Sequence, residues 1–223
     1  MQSGLDSFAL DIRPVPLLIV AVSQCALLAA VEIAFHRGLG PETTRRIAHV
    51  AGAGSVAFMP LVLHLPEIGA LAVFFTGALL VTRERHVLGS IHGVDRASAG
   101  AIVFPAGLLL AVLIGWHHPA AIAYAAFVLA IADPVAAAVG RRFGRLSWVV
   151  VGGHKSLAGS AAFAVVALAI GIAIGLAVRD VQLLFAGAAA LTVTVAEAGV
   201  GYGLDNLLVP VVASVLGVAW LDF

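Results

Sequence analysis

Eight apolar stretches, at about 14–35, 47–65, 66–82, 99–115, 119–139, 157–178, 182–199 and 205–221, occupy most of this 223-residue chain. Each approaches the ~20 residues that a helix needs to cross ~30 Å of hydrocarbon. Threaded alternately, they place Arg37, Arg45, Arg46, Arg83, Arg85, Arg96, Arg141, Arg142, Arg145 and Lys155 on one face. Only Arg13 and Arg179 of the 12 basic residues fall on the other. By the positive-inside rule the crowded face is cytoplasmic and both termini lie outside. The pattern predicts an all-α, multi-pass membrane bundle forming a single domain over 1–223, with about eight transmembrane helices. Fusing the second and third stretches at Pro66 would reduce the count to seven and break the charge pattern.

A mean hydropathy of +1.10 with 11% charged residues excludes an ordinary soluble domain and excludes disorder. The net charge is zero, so any attraction for anions must be local. The single cysteine, Cys25, rules out an internal disulfide or a cysteine-based metal site. The acidic Asp6 and Asp11 before Arg13 do not suit a signal peptide, so the first stretch reads as a retained helix. Eleven of the 12 basic residues are arginine, a bias in keeping with a GC-rich bacterial genome. Nothing suggests a nucleic-acid partner, and the oligomeric state is left open. Gly171 and Gly175 form a GxxxG pair that reads as close helix packing.

Chemistry concentrates at about 133–160, a predicted cytoplasmic segment. Asp133 lies about seven residues inside the fifth stretch, hence roughly 10 Å from its end. An unpaired acid at that depth costs on the order of 2–3 kcal/mol, so it demands a partner. Pro134 lacks the N–H that would bond the Ala130 carbonyl and so opens the helix beside the acid. Gly140, Arg141, Arg142, Gly144, Arg145, Lys155, Ser156 and Gly159 follow. Glycines admit backbone N–H groups to phosphate oxygens, cations offset charge, and a carboxylate holds the bridging magnesium. The segment is not a Walker A loop, because His154 precedes Lys155 and the glycine spacing is missing. The plainer reading of the arginines is that they fix topology and meet anionic lipid heads.

Other groups gather on the same face. Arg45 and Arg46 stand above His49 at helical spacing, Asp95 and Arg96 precede the fourth stretch, and Glu197 ends the seventh. Asp205 and Asn206 open the eighth, where either residue type also serves as an ordinary helix cap. Glu32 reads as a helix-end acid.

In this order the residues resemble the CTP-dependent lipid-alcohol kinases, the integral-membrane dolichol, polyprenol and phytol kinases. The run from Asp133 through Gly140 and Gly144 to Lys155-Ser156 and Gly159-Ser160 is similar to their nucleotide-binding signature. Arg45-Arg46-Ile47-Ala48-His49, Asp95-Arg96 before Phe104-Pro105, and Glu197 with Asp205-Asn206 extend the likeness over about 45–210. Two positions depart from the pattern: Ala132 where the family commonly has glycine, and Ala158 where it often has an acid.

The resemblance implies transfer of the CTP γ-phosphoryl group to an isoprenoid alcohol of phytol or polyprenol type. In that scheme Asp133 holds Mg2+, while Lys155, Arg141 and Arg142 neutralise phosphate oxygens. Gly140, Gly144, Ser156 and Gly159 shape the loop, and Asp205 or Glu197 positions a second ion or accepts the alcohol proton. Arg46, His49, Arg96 and Asn206 support them. The expected setting is the inner (cytoplasmic) membrane of a bacterium, with the site facing the cytoplasm. Two alternatives stand beside this one. Phosphatidate cytidylyltransferases share a similar aspartate-to-lysine segment, and a small ion or anion transporter would also use membrane acids beside a broken helix.

Overall fold

The computed structural model describes residues 12–93 and 98–221. Its helices are α1 (Pro14–His36), α2 (Pro41–Val56), α3 (Leu65–Glu84), α4 (Gly89–His92), α5 (Gly100–Ile114), α6 (Pro119–Phe127), α7 (Asp133–Phe143), α8 (Leu157–Ala177), α9 (Leu183–Gly199) and α10 (Asp205–Trp220). Proline in the first turn opens α1, α2, α3 and α6, where its missing N–H costs nothing and its fixed φ suits the helix.

Among the described residues, four rods are long and apolar enough to span a bilayer: Pro14–His36, Leu65–Glu84, Pro119–Phe143 and Leu157–Ala177. Helices α5, α9 and α10 are apolar but shorter. The expected second stretch divides differently. Helix α2 begins at Pro41 and ends at Val56, and a 3-10 turn at Met59–Leu61 precedes α3. Pro60 within that turn has no N–H to continue an α-helix. Because it starts early, α2 carries Glu42, Arg45, Arg46 and His49 on its own surface. The expectation of a purely α chain needs one correction. Ser147–Val150 and Gly153–Ser156 pair as an antiparallel hairpin, β1 and β2, with Trp148 opposite Lys155.

The rod α6–α7 runs through the middle, half of its apolar window buried, with α10, α8 and α2 packed around it. Helix α10 also lies along α5 and α9. Gly171 and Gly175 serve contacts inside this chain, since a Cβ at Gly171 would meet the Trp220 ring at 2.7 Å and one at Gly175 the Asp180 carbonyl at 2.7 Å. Helix α1 is peripheral, touching chiefly α2 and α4, with little of its apolar length buried. Its start is tied by Arg13, which pairs at 3.0 Å with the buried Glu67 of α3. Glu67 also accepts the His64 N–H at 2.6 Å, closing a capping box that satisfies the carboxylate where water is excluded.

Candidate active site

The break beside Asp133 takes a specific form. Val128–Ala132 is a π-helical segment, and α7 begins at Asp133. With i→i+5 spacing the Leu129 carbonyl is directed at position 134, where proline has no N–H to offer. His49 supplies the missing donor, its Nε2–H reaching the Leu129 carbonyl at 2.9 Å. The carbonyl that gains a new partner is therefore Leu129, one residue before the Ala130 inferred from α-helical spacing. Asp133 Oδ2 stands 3.7 Å from the same His49 nitrogen. Because α7 has 11 residues and runs on past the apolar stretch, Asp133 lies ~15 Å from its far end. The π segment, the proline and the histidine are thus one device for fixing a carboxylate inside a bundle.

Lys155 reaches the site from β2. Its ammonium bonds Glu197 Oε1 of α9 and, at 3.2 Å, Asp205 Oδ2 of α10. The hairpin is pinned for this purpose. Trp148 Nε1–H donates to the Ala198 carbonyl at 2.9 Å, and Gly152, at φ +75°, lies against Tyr202 so closely that a Cβ would sit 3.1 Å from its ring. Burial works against the charge of Lys155, but the carboxylates of Asp205 and Glu197 outweigh it and hold the ammonium above the ordinary lysine range. Glu197 is buried, and its Oε2 has no hydrogen-bond partner among the described residues. Buried carboxylates of this kind require compensation, so Lys155 holds the hairpin, α9 and α10 together as well as lining the pocket.

The glycines occupy a tight contact between α7 and α8. A Cβ at Gly140 would lie 2.9 Å from Ser156 Oγ, one at Gly144 2.3 Å from the Gly140 carbonyl, and one at Gly159 2.9 Å from the Ala136 carbonyl. Ser156 caps α8 by accepting the Gly159 N–H at 3.2 Å. These residues line the pocket, and their lack of side chains lets two helices meet beneath it.

The cations separate into two groups. Arg46 and Arg141 both approach Glu42 Oε1, at 2.9 and 3.4 Å, and all three line the pocket. Arg142 instead lies over the Phe143 ring, 5.5 Å from its centre, and Arg142 and Arg145 are not among the pocket's walls. Asn206 is buried and donates to the Gly100 carbonyl at 2.9 Å, joining α10 to α5. Asp95 and Arg96 lie outside the described residues. Glu42, Trp148 and Tyr202 escaped the sequence reading. Glu42 was detectable as the i, i+4 partner of Arg46, whereas the other two act through a hairpin that apolar periodicity does not reveal.

These groups surround a polar pocket. Beside it an apolar groove runs between α1, α2, α3 and α5. Arg45, His49 and Asn206 line both. Among the described residues no three His, Cys, Asp or Glu side chains form a ready metal cage. The pocket offers instead Asp133 and the unpartnered Glu197 oxygen. That set fits magnesium, which keeps waters and binds through one or two carboxylates together with substrate phosphates.

Comparison with known proteins agrees with the sequence resemblance. No family model and no solved structure matches the chain. A phytol kinase from Synechocystis is 32% identical over 205 residues, covering 87% of this chain and 86% of that protein. Identity at that level over nearly the full length of both proteins places this chain in the phytol kinase family of membrane lipid-alcohol kinases.

Proposed function

We propose that this protein transfers the γ-phosphoryl group of CTP to the hydroxyl of an isoprenoid alcohol at the cytoplasmic face of a membrane. The observation that carries this reading is the meeting of a charged pocket and an apolar groove at His49, Arg45 and Asn206. A kinase for a lipid needs such a junction, because its two substrates come from different solvents. The basic residues concentrated toward one end of the threaded helices favour the cytoplasmic assignment. The name of the Synechocystis relative favours phytol as the acceptor.

Phosphoryl transfer depends chiefly on positioning and charge stabilisation. Arg46, Arg141 and Lys155 offer the pocket's positive charge to the phosphates. Asp133, with the free oxygen of Glu197, would hold magnesium, which when bound supplies charge neutralisation at the phosphate oxygens. The alcohol oxygen forms the new bond to the γ-phosphorus as the bond to the β-phosphate oxygen breaks, and CDP leaves. The hydroxyl proton needs an acceptor. Glu197 and Asp205 are both engaged by Lys155, so we assign this role to His49. A carbonyl only accepts, so the His49 nitrogen facing Leu129 carries the hydrogen and the neutral ring keeps its lone pair on Nδ1.

The test is purified protein with CTP labelled on the γ-phosphate, ATP in parallel, and a panel of lipid alcohols. Label in a lipid monophosphate with CDP released supports the reading. Pyrophosphate release with cytosine entering the lipid would make the protein a cytidylyltransferase instead.

A further inference from the structure

The apolar groove has a direction and a length. Gly52 and Met59 from α2 and its following turn face Ile68, Ala72 and Phe75 of α3, with Phe104 of α5 closing the reaction end against His49. The walls of the groove group in order along it: Ala48 and Leu79 share one buried cluster, and Met59 packs on the other cluster, which contains Ile68. Its polar lining is confined to Arg45, His49 and Asn206 at one end and to Gln24, whose amide is already bound to Ser55 Oγ at 2.8 Å. From Leu79 to Ile68 is eleven residues of the unbroken helix α3, or roughly 15–17 Å. The peripheral α1 forms one wall and packs only lightly on α3, leaving a side through which a lipid can enter.

We propose that this groove seats the hydrocarbon chain of the acceptor, hydroxyl toward His49, and that it accommodates about three isoprene units. An extended chain advances ~1.2 Å per bond, so a ~15 Å groove takes about a dozen bonds, or three four-bond units. The fourth unit of a phytol-sized alcohol, and everything beyond it in a polyprenol, leaves the groove past Met59 and Ile68 for the bilayer. The acceptor is therefore selected on its first three units and not on its total length. The identity of the occupant rests on the kinase reading above; the location and length of the site rest on the groove.

Two experiments test it. In the first, the apparent KM is measured for prenyl alcohols of two, three, four and eleven units, in the wild type, Ala72→Trp and Val73→Trp. Ala72 lines the groove seven residues along α3 from Leu79, leaving ~10 Å, or about two units, on the His49 side. Val73 faces outward. The wild-type KM should fall from two units to three and level off beyond. Ala72→Trp should raise KM at least tenfold for four units while staying within twofold for two units, which also shows the variant is folded. Val73→Trp should change neither. A KM that keeps falling to eleven units, or an Ala72→Trp effect equal at every length, overturns the proposal.

The second experiment needs no turnover. A four-unit alcohol bearing a photoreactive diazirine on its third unit is irradiated with the wild-type protein in detergent, with and without excess phytol. Phytol-sensitive labelling should map to the groove-lining Val56, Met59, Ile68 and Ala72, and labelling of outward residues such as Leu184 and Val195 would overturn the groove as the binding site. If that labelling is found but no alcohol is phosphorylated, the kinase reading fails and the groove stands.

Discussion

The two cavities that meet at His49 are built from opposite materials. The polar pocket is rigid by construction: α7 and α8 touch through Gly140, Gly144 and Gly159, and the hairpin is pinned by Trp148 and by the Lys155 ion cluster. The apolar groove is walled by side chains, and α1 closes one flank with little burial of its own. Phosphoryl transfer tolerates little misplacement of charge, whereas a hydrocarbon chain is held by contacts that need no fixed direction. Damage to the pocket should therefore affect every acceptor equally, and damage to the groove should depend on the acceptor's chain.

The largest effect is expected from Asp133→Asn. The substitution keeps the shape and removes the charge, so the protein should insert and fold as before, while turnover falls on the order of a thousandfold for acceptors of every length. Near-normal activity in a folded variant would remove Asp133 from the mechanism. Next is His49→Ala, expected to lower kcat about a hundredfold with the KM for nucleotide unchanged. His49→Asn can still donate to the Leu129 carbonyl but cannot take a proton at neutral pH. Recovery of activity in that variant would make His49 a positioning group for Asp133 only.

Lys155→Ala sharpens the comparison from the side of stability. Removing the ammonium leaves Glu197 and Asp205 uncompensated, at a cost of about 3 kcal/mol where such pairs are buried. Thermal unfolding should reveal this loss alongside weaker nucleotide binding. Adding Glu197→Gln should restore part of the stability without restoring activity. Gly140→Val is expected to cost about 1–3 kcal/mol, because its branches would press on Ser156 and the start of α8. The smallest effect belongs to the groove. Gln24→Ala removes one bond to Ser55 and should cost about 1 kcal/mol or less, with kcat preserved.

How much of this was legible in the sequence follows from what each part depends on. Asp133 and Glu197 were marked by a charge where apolar neighbours make charge costly, Lys155 and Asp205 by the order of residues shared with the kinase family, and the structure brings Lys155 to two of the acids and His49 to the third. Pro134 announced a broken helix. The π register was not readable, because the side chain that meets the Leu129 carbonyl, His49, lies 80 residues away. The extent of α2 was misjudged for a related reason: apolar content finds the greasy half of a helix and misses the half that faces a polar pocket. The hairpin was missed because its strands are four residues each and held mainly by loop contacts with Ala198, Gly201 and Tyr202. Glycines that suggested a phosphate cradle line the pocket and also form a helix contact, since close approach of any backbone selects the same residue.

A structure with both substrates bound decides whether a nucleotide from one cavity and a lipid from the other meet at His49. The complex would contain a non-hydrolysable CTP analogue, magnesium and a four-unit isoprenoid alcohol. The triphosphate is expected between Asp133, Lys155 and Arg46, the hydroxyl against the His49 ring, and the chain leading away along Gly52 and Phe75 toward Met59. A chain bound on the outer surface of the bundle, or phosphates bound away from Asp133, would contradict it.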